Sequence, residues 1–264
     1  MNRLQVLVAT MYQKELSLVE KMNIRCSAVI ANQADRNEIL VADDLTMITT
    51  TTRGVGLNRN IALLASNADI LLFADDDVVY NDDMPQAVIA AFQENPQADV
   101  LIFGLDMVKD GSVFERRYLK KHRLFVFNAM RFGTCRMAIR RKSLLRANIL
   151  FNQNFGGGCP FSSGEDSLFL KACFDRGLKV YSHEYVLGTC AKDTSTWFVG
   201  YNDKFFYDKG VLMRYLFPRL PYLMALYFAI HFKRQTEIKM YQRIRLMLKG
   251  VRGGKSMQPY QNEV

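Results

Sequence analysis

Short apolar runs alternate with stretches of helical spacing through the first 105 residues of the chain. The apolar runs predict strands at Leu4–Ala9, Ser27–Ala31, Met47–Thr51, Ile70–Ala74 and Val100–Leu105. The intervening patterns predict helices at Gln13–Met22, Leu57–Ser66 and Asp83–Glu94. Strands that are apolar along their whole length must be covered on both faces. The alternation therefore predicts an α/β fold, with a mostly parallel central sheet flanked by helices.

The size and composition agree with one large globular domain, or with one domain and a short appendage. The chain has 264 residues, of which 49% are hydrophobic and 23% are charged, so it can bury a sizeable core and does not have the composition of a disordered protein. Its five cysteines are scattered and form no CxxC pair. This pattern argues against a disulfide scaffold and a structural zinc site, and it predicts reduced thiols in a cytoplasmic protein.

The positive charge is concentrated at the end of the chain. The net charge is +9, and residues 200–264 hold 12 Lys and Arg against 4 Asp and Glu, whereas residues 1–199 are nearly balanced. We therefore expect the basic segment to meet an anionic partner. The opening apolar run is too short for a secretory signal. The longest late apolar stretch, Tyr215–Phe232, is interrupted by Pro218, Arg219 and Pro221, so no transmembrane segment is predicted.

Three consecutive carboxylates, Asp75, Asp76 and Asp77, directly follow the predicted strand Ile70–Ala74. Crowded negative charges raise one another's pKa, and a divalent cation among them relieves the repulsion. Carboxylate oxygens suit Mg²⁺ or Mn²⁺, which also bind substrate phosphates. The triplet therefore predicts a metal site, and the alternative is a solvated acidic loop that caps the next helix.

Polar residues follow several of the other predicted strands. Ligands of open α/β sheets bind beyond the carboxyl ends of the strands, which directs attention to Thr10 and Asn32 as well as to the triplet. The segment Arg53–Asn60 resembles a dinucleotide fingerprint only superficially, because Arg59 stands at the third glycine position. We predict instead a loop that enters a helix, with Arg59 near a phosphate or base. An exposed arginine after a simple turn is the alternative.

A second acidic motif, Ser163-Gly-Glu165-Asp166, opens a predicted helix. A capping box between Ser163 and Asp166 would explain it in purely structural terms. The preceding glycine-rich loop, Gly156–Gly158, is typical of places where a ligand approaches the backbone closely. A carboxylate beside such a loop can act as a general base on a hydroxyl group, and the residues alone leave both interpretations open.

Two single residues are further candidates. His183 follows a predicted strand at Leu178–Ser182 and could be a late metal ligand, although a hydrogen-bonded structural histidine is the more common case. Trp197, the only tryptophan, lies in a Ser/Thr-rich stretch. It could stack on a sugar, although most single tryptophans pack in a core or an interface.

Taken together, these motifs resemble those of the GT-A-fold, family 2 glycosyltransferases, particularly the bacterial enzymes of capsule, exopolysaccharide or lipopolysaccharide assembly. The matching segments, within residues 4 to about 210, are VLVATMYQ near the start, Ala31–Gln33, Gly54–Asn60, Phe73–Tyr80, Phe155–Gly158, Ser163–Leu168 and Ser195–Phe198. The most specific feature is the order of the acidic triplet and, roughly ninety residues later, the Glu-Asp helix.

The resemblance implies a domain organisation. Residues 1–210 would form a GT-A domain with a Rossmann-like, mostly parallel sheet. Its nucleotide-binding half would be residues 1–105 and its acceptor-binding half residues 106–210. A helical, basic and aromatic extension would follow over residues 211–264.

The resemblance also implies roles for the site residues. Asp75 and Asp77 correspond to the DxD motif, and the metal ligands would be Asp77, Asp75 and, as a further candidate, His183. The residues expected to bind the nucleotide sugar are Thr10, Asn32, Arg59, Asp75 and Asp76. Asp166 would be the catalytic base. The residues on the acceptor side would be Gly157, Gly158, Glu165 and Trp197.

The implied reaction is an inverting transfer of a sugar from a nucleotide diphosphate, with a UDP-sugar as the expected donor, to a hydroxyl of a saccharide acceptor. Asp166 would take the proton of that hydroxyl as its oxygen attacks the anomeric carbon. A bound Mg²⁺ or Mn²⁺ ion and Arg59 would neutralise the charge on the departing diphosphate.

The basic end of the chain suggests a place for this reaction. The segment Gln235–Lys249 carries Ile238, Tyr241, Ile244 and Leu248 at helical spacing among basic residues. Such a helix can lie in a membrane interface, which fits a polyprenyl-linked saccharide acceptor at the inner, cytoplasmic face of a bacterial membrane. The alternative is a helical subdomain in which these side chains form ordinary core. No nucleic-acid-binding motif accompanies the charge, so a nucleic acid is not the expected partner.

Two other functions compete with glycosyl transfer. A Mg²⁺-dependent phosphohydrolase of the haloacid-dehalogenase type also carries DxD at a strand end, but there it should follow the first strand and the first Asp is the nucleophile. A non-enzymatic peripheral membrane protein could bind Ca²⁺ through the triplet. That protein would not require Asp166 or Arg59.

Overall fold

A mixed β-sheet forms the centre of the molecule and carries helices on both of its faces. The computed structural model describes residues 3–109, 112–115, 120–191, 199–257 and 259–260. Within these residues the strands are β1 (Leu4–Met11), β2 (Ser27–Gln33), β3 (Glu38–Ala42), β4 (Leu45–Thr50), β5 (Ile70–Asp75), β6 (Val78–Tyr80), β7 (Val100–Lys109), β8 (Ser112–Glu115), β9 (His122–Arg123), β10 (Met137–Arg140) and β11 (Val180–Ala191). The helices are α1 (Leu18–Lys21), α2 (Val55–Ala65), α3 (Met84–Glu94), α4 (Val126–Ala129), α5 (Arg141–Ala147), α6 (Glu165–Asp175), α7 (Asp203–Leu216), α8 (Pro221–Ile230) and α9 (Met240–Gly253). A short 3-10 helix spans Thr134–Arg136.

The strand order aligns several carboxyl ends along one edge of the sheet. The order is β3-β4-β2-β1-β5-β10-β7-β11-β6, with β8 paired to β7 and β9 paired to β11. β1 is parallel to β2 and β5, and β2 is parallel to β4. Because β10 is antiparallel to both β5 and β7, strand β7 and its parallel neighbour β11 run in the same direction as β5. The carboxyl ends of β1, β2, β5, β7 and β11 therefore share the edge at which ligands of such sheets bind.

Successive residues of β5 belong to different core layers. Ile70, Leu72 and Ala74 pack in the layer that contains α1 and α3, whereas Leu71 and Phe73 pack in the layer that contains α2, α5 and α6. Because side chains alternate between the two faces of a strand, a strand covered on both sides must be apolar throughout. This packing confirms the predicted α/β fold with helices on both faces of a largely parallel sheet.

The structure differs from the prediction near the start of the chain and at one edge of the sheet. The predicted helix Gln13–Met22 is reduced to α1, because Tyr12 has a positive φ of 57° and the backbone of Gln13 is held by Asn32 in both directions, at 3.0 and 2.9 Å. Strand β3 was not predicted. It pairs antiparallel with β4 at the edge of the sheet and is largely exposed, so its sequence lacks the apolar signal of a buried strand.

The predicted C-terminal extension is helical. Helices α7, α8 and α9 share a third apolar cluster with Phe155 and Phe161 from the glycine-rich loop region. Ile244 and Leu248 of α9 are partly buried in this cluster, as the alternative of a helical subdomain predicts, whereas Tyr241 is 64% exposed. The predicted domain boundary at residue 210 falls within α7, and the division into domains stays a prediction.

Helices α7 and α9 approach each other through glycines. A Cβ atom at Gly250 would lie 2.0 Å from the carbonyl oxygen of Tyr207, and one at Gly210 would lie 2.1 Å from the carbonyl oxygen of Met247. Both distances are far below van der Waals contact, so the two backbones can pack this closely only while both positions lack a side chain.

We expect Gly250→Ala to destabilise the protein by about 1–3 kcal/mol, because the added methyl group forces α7 and α9 apart. The free energy of unfolding, measured by urea denaturation, checks this. Gly254→Ala is the matched control, because its Cβ would make ordinary contacts of 3.4 Å, and we expect a change within about 0.5 kcal/mol. Equal stability of the two variants would contradict this account of the interface.

Candidate active site

A cavity of about 500 Å³ opens at the shared carboxyl edge of the sheet. It is lined by residues from the ends of β1, β2, β5, β7 and β11, from α2 and from the loop that leads into α6. These residues are Ala9, Thr10, Met11, Gln33, Val55, Asn58, Arg59, Asp75, Asp76, Asp77, Met107, Gly157, Ser162, Ser163, Glu165, Asp166, Cys190 and Ala191. The acidic triplet and the Glu-Asp motif, which are distant in sequence, therefore face the same cavity.

The last two aspartates of the triplet bind to neighbouring strands. Asp76 Oδ2 accepts a hydrogen bond of 2.6 Å from the hydroxyl of Thr10 at the end of β1. Asp77 Oδ2 accepts one of 3.4 Å from the thiol of Cys190 near the end of β11. Neither residue caps the next helix, because α3 begins at Met84 with Asp83 as its N-cap. The triplet therefore does not cap the next helix, although Asp76 and Asp77 are exposed, as the alternative of a solvated loop predicts.

Arg59 of α2 connects the triplet to the Glu-Asp motif. Its Nη2 lies 2.8 Å from Asp75 Oδ1, and its Nη1 lies 2.9 Å from Asp166 Oδ1 and 3.1 Å from Glu165 Oε1. Only 5% of the Arg59 side chain is exposed. One buried guanidinium thus fixes carboxylates from β5 and α6 on either side of itself, and the alternative of an exposed arginine after a simple turn is wrong.

Asp166 stands in the first turn of α6 and does not cap it. The N-cap is Gly164, which makes no side-chain hydrogen bond, so the capping-box alternative is wrong. Oδ1 of Asp166 accepts hydrogen bonds from Arg59 and from the hydroxyl of Thr134. Oδ2 has no hydrogen-bond partner within the described part of the chain. One carboxylate oxygen is therefore held in place while the other is available to a substrate hydroxyl.

The glycine-rich loop packs closely against this acidic helix start. A Cβ atom on Gly156, whose φ is +106°, would lie 2.5 Å from Val55 Cγ1 and 2.8 Å from the carboxyl group of Glu165. The next residue, Gly157, lines the cavity and accepts a hydrogen bond of 2.9 Å from the backbone N–H of Val55. Glycine at position 156 thus allows the loop to join the start of α2 to the start of α6.

The crowded charges shift several pKa values. Reduced hydration in the cavity, together with the charge of Asp75, raises the pKa of Asp77 to about 6. Burial, with the charge of Glu165 added, raises the pKa of Asp166 to about 7, although Arg59 acts in the opposite direction. The pKa of Arg59 is itself raised, because the three carboxylates outweigh the effect of its burial. Carboxyl groups with raised pKa values in a cavity are typical of sites that bind cations or move protons.

The carboxylates fit a divalent cation only in part. Among the described residues, no group of three or more His, Cys, Asp or Glu side chains is arranged to hold a metal ion by itself. Oxygen ligands from Asp77 and Asp75 nevertheless match the chemistry of Mg²⁺ and Mn²⁺, which are commonly bound by one or two carboxylates together with substrate phosphates and water. The donor set fits a metal that arrives with a phosphorylated ligand.

The other predicted donor-site and acceptor-site residues take different positions. Thr10 lines the cavity, as Arg59 and the triplet do. Asn32 is fully buried beneath it, where it binds the backbone of Gln13 and the hydroxyl of Thr49. Gly158, with a φ of +76°, completes the turn after Gly157. The roles of these residues in binding stay predictions.

Of the two single-residue candidates, His183 is not among the residues that line the cavity. His183 lies in the first part of β11, where its Nε2 is 3.9 Å from Glu94 Oε2 and its ring is 5.4 Å from that of Phe103. The residue of β11 that contacts Asp77 is Cys190, seven residues further along the same strand. Trp197 lies outside the described residues.

Sequence reasoning missed two residues of the site. Thr134 holds Asp166, and Cys190 contacts Asp77. Thr134 lies in the 3-10 helix before β10, an isolated threonine that no local pattern distinguishes. A longer prediction for β11 would have aligned Cys190 with the carboxyl edge of the sheet, because the apolar and β-branched pattern continues beyond Ser182.

Comparison with known proteins agrees with this geometry. Residues 27–151 match the family model for glycosyl transferase family 2. No curated protein sequence matches the chain. The structure is similar to S. aureus TarS 1-349 in complex with UDP-GlcNAc, with a TM-score of 0.60, 15% identity, and coverage of 97% of this chain and 73% of that one.

Two further TarS structures give similar values. TarS 1-349 without a named ligand has a TM-score of 0.58 at 14% identity over 94% of this chain and 70% of that one. Its complex with UDP has a TM-score of 0.57 at 16% identity over 96% and 72%. These similarities confirm the fold predicted in the sequence analysis.

We expect Arg59→Met to destabilise the protein by about 3–5 kcal/mol, because three carboxylates would lose their shared buried counter-ion. Urea denaturation at neutral pH measures this. Arg25→Met is the control, because its ion pair with Asp82 is 56% and 70% exposed at the two side chains, and we expect less than about 1 kcal/mol. Equal losses in the two variants would show that Arg59 does not have the structural role described.

Proposed function

We propose that this chain transfers a sugar from a nucleotide diphosphate to a hydroxyl of a saccharide acceptor, with inversion at the anomeric carbon. The match of residues 27–151 to the glycosyl transferase family 2 model and the similarity of the fold to that of TarS support this proposal. The observation that carries the proposal is the salt-bridge network of Arg59, which fixes Asp75 and Asp166 at opposite ends of one guanidinium. A donor held at the triplet would have its anomeric carbon within reach of a base at Asp166.

The charge of the cavity supports a metal-assisted donor site. Its described lining contains five carboxylates and one guanidinium, which is already paired with three of them. A nucleotide diphosphate would be repelled from such a surface unless a cation accompanied it. Asp77 and Asp75 would hold Mg²⁺ or Mn²⁺, and the bound ion would supply electrostatic stabilisation of the leaving diphosphate. The structure of TarS with UDP-GlcNAc supports a UDP-sugar as the donor.

The surroundings of Asp166 support its role as the base. Thr134 and Arg59 hold Oδ1, so the carboxyl group is oriented before substrate binds, and Oδ2 can accept the proton of the attacking hydroxyl. A pKa of about 7 is close to the optimum for proton transfer at neutral pH. Direct displacement by that hydroxyl inverts the anomeric configuration.

Arg59 itself acts as a positioning residue in this scheme. All of its described ion pairs are to protein carboxylates, and it is almost fully buried. We therefore propose that the metal ion, and not Arg59, neutralises the charge of the diphosphate. Arg59 keeps Asp75 and Asp166 at a fixed separation.

We further propose that the acceptor is a lipid-linked saccharide of surface polysaccharide biosynthesis, at the inner face of a bacterial membrane. The concentration of basic residues in the C-terminal helices supports this assignment. The two competing functions have less support. The triplet ends the fifth strand, and its first Asp is paired with Arg59, unlike the nucleophile of a phosphohydrolase. A non-enzymatic calcium protein would not need the network around Asp166.

We expect Asp77→Ala to abolish metal-dependent donor binding, because the diphosphate would lose the ligand that holds its cation. Calorimetric titration with UDP in the presence of Mn²⁺, and again with EDTA, measures this. Wild-type protein should bind at least about tenfold more tightly with Mn²⁺ than with EDTA. Asp44→Ala removes an exposed carboxylate and should bind as wild type. Unchanged Mn²⁺-dependent binding by the Asp77 variant would refute the assignment.

We expect Asp166→Asn to lower transfer by at least about a hundredfold while UDP binding stays within about twofold, because an amide cannot accept the proton. In wild-type protein, kcat/KM should fall as the pH decreases through about 7, since Asp166 gains a proton and ceases to be a base. Asp175→Asn, at the other end of α6, is the control. Retained turnover in the Asp166 variant would remove this residue from the base role.

A further inference from the structure

Helix α8 buries its alanines and exposes most of its large apolar side chains, although Met224 and Phe228 are partly buried. Ala225 and Ala229 are fully buried against α7 and α9. Leu223, Tyr227 and Ile230 project outward with exposed fractions of 57%, 56% and 47%. A surface helix of a globular protein normally shows the reverse arrangement, so α8 presents an apolar face that its own chain leaves uncovered.

Exposed apolar residues from neighbouring segments extend this face. The exposed apolar residues lie on α8, directly before it and at the start of α9. They are Leu220, Tyr222, Leu223, Leu226, Tyr227, Ile230, Met240 and Tyr241. We call this set the α8 face. Phe127 of α4 is 72% exposed and stacks on Phe217, which precedes α8, with ring centroids 5.8 Å apart. A cluster of exposed apolar side chains on one helix face is typical of a contact with a membrane or another molecule.

The surroundings of the α8 face are strongly basic. A cleft of about 720 Å³ between α8 and α9 is lined by Lys233, Arg234, Lys239 and Arg243, with Glu237 as the only acid in its described lining. Arg219 is exposed at the other end of α8. Glu237 is also the only acidic residue between Asp208 and Glu263 in the sequence. Apolar side chains surrounded by cations match a bilayer that carries anionic headgroups.

We propose that the α8 face docks flat on an anionic lipid bilayer, with its leucine and isoleucine side chains in the acyl boundary and its tyrosines at the headgroup level. This inference rests on the proposed function, because a lipid-linked acceptor would be presented at the same surface. No helix in the described parts of the chain is long and apolar enough to cross a membrane. The proposed contact is made mainly through α8, and of α9 only Met240 and Tyr241 take part in it.

The charges favour a bilayer over a second copy of the chain. A symmetric dimer through the α8 face would bring the same cations of both copies together, and such like-charge contacts oppose association. An anionic bilayer supplies the opposite charge over an extended surface. Tyrosine is also enriched where proteins meet the membrane interface, because its ring is apolar and its hydroxyl is polar.

The α8 face is coupled to the candidate base through packed helices. Leu212 of α7 occupies the space beside Gly164, where an added Cβ would lie 2.6 Å from its side chain. Ser167 of α6 donates a 3.0 Å hydrogen bond to the carbonyl oxygen of Met130, next to α4. Docking through α8 would therefore hold the α6 start, and with it Asp166, at a fixed place relative to the bilayer.

The test is co-sedimentation of the full-length protein with vesicles of phosphatidylethanolamine and phosphatidylglycerol in a 3:1 ratio, or of phosphatidylcholine alone. Wild-type protein should bind the anionic vesicles, and more weakly as salt increases. Leu223→Ser/Tyr227→Ser/Ile230→Ser should weaken the partition at least about tenfold, because three apolar side chains no longer enter the bilayer. Lys233→Gln/Arg234→Gln should weaken it and reduce its salt dependence.

Matched controls separate this effect from unfolding and from the proposed function. Ile39→Ser/Val41→Ser/Leu64→Ser removes three side chains that are 66–69% exposed on β3 and α2, away from the α8 face, and should bind vesicles as wild type. Urea midpoints and Mn²⁺-dependent UDP binding should be unchanged in both triple variants. Failure of the wild-type protein to bind UDP would count against the proposed function. Vesicle binding, in contrast, tests only the docking proposal.

Three results would overturn the proposal. They are failure of wild-type protein to bind the anionic vesicles, equal binding by wild type and the α8 triple variant, and equal loss in the β3/α2 control. Light scattering after size exclusion adds a fourth outcome. If wild-type protein is a dimer that the α8 variant converts to a monomer with no change in vesicle binding, the face joins two copies and the bilayer is excluded.

Discussion

Burying a guanidinium group requires that its charge be compensated, and at Arg59 this requirement organises the whole candidate site. Desolvation of the charge is offset only when carboxylates with good geometry surround it. Here they come from the end of β5 and from the first turn of α6, with distances of 2.8 to 3.1 Å. The glycine at position 156 allows the loop before α6 to come close enough for Glu165 to take part. The spacing between the triplet and Asp166 is therefore set by one side chain.

The same network leaves the cavity with an excess of negative charge. Arg59 neutralises part of the carboxylate charge, but Asp76 and Asp77 depend on a hydroxyl and a thiol, which are weak partners for a full charge. Burial of Asp77, with the charges of Asp75 and Asp76 added, raises its pKa to about 6. A cation that arrives with a diphosphate would satisfy the protein and the ligand together. This links the buried ion pairs of the fold to the metal dependence that we propose.

The sequence predicted those parts of the molecule whose signals are local. The buried strands Leu4–Met11 and Ile70–Asp75 were predicted almost in full, because a strand covered on both faces must be apolar along its length. Strand β3 was missed because an exposed edge strand has no such requirement. Cys190 and Thr134, the partners of Asp77 and Asp166, were missed. Each lies far from its aspartate in the sequence and comes close to it only in the folded sheet. His183 was a further candidate for the metal because β11 was predicted to end at Ser182. The strand continues to Ala191, so its carboxyl end lies beyond His183.

The C-terminal helices show how packing decides which apolar residues are left for a partner. The pattern of α9 alone predicts a surface helix, but the backbone contacts at Gly210 and Gly250 bring it against α7 and turn Met247 and Val251 into core. Space for α8 is then limited, so its alanines face inward and its leucines face outward. Helix α8 has the apolar composition of a buried helix. It nevertheless lies on the surface, where basic side chains surround it. Because α7 also packs against Gly164, a contact made through α8 would be transmitted rigidly to the helix that carries Asp166.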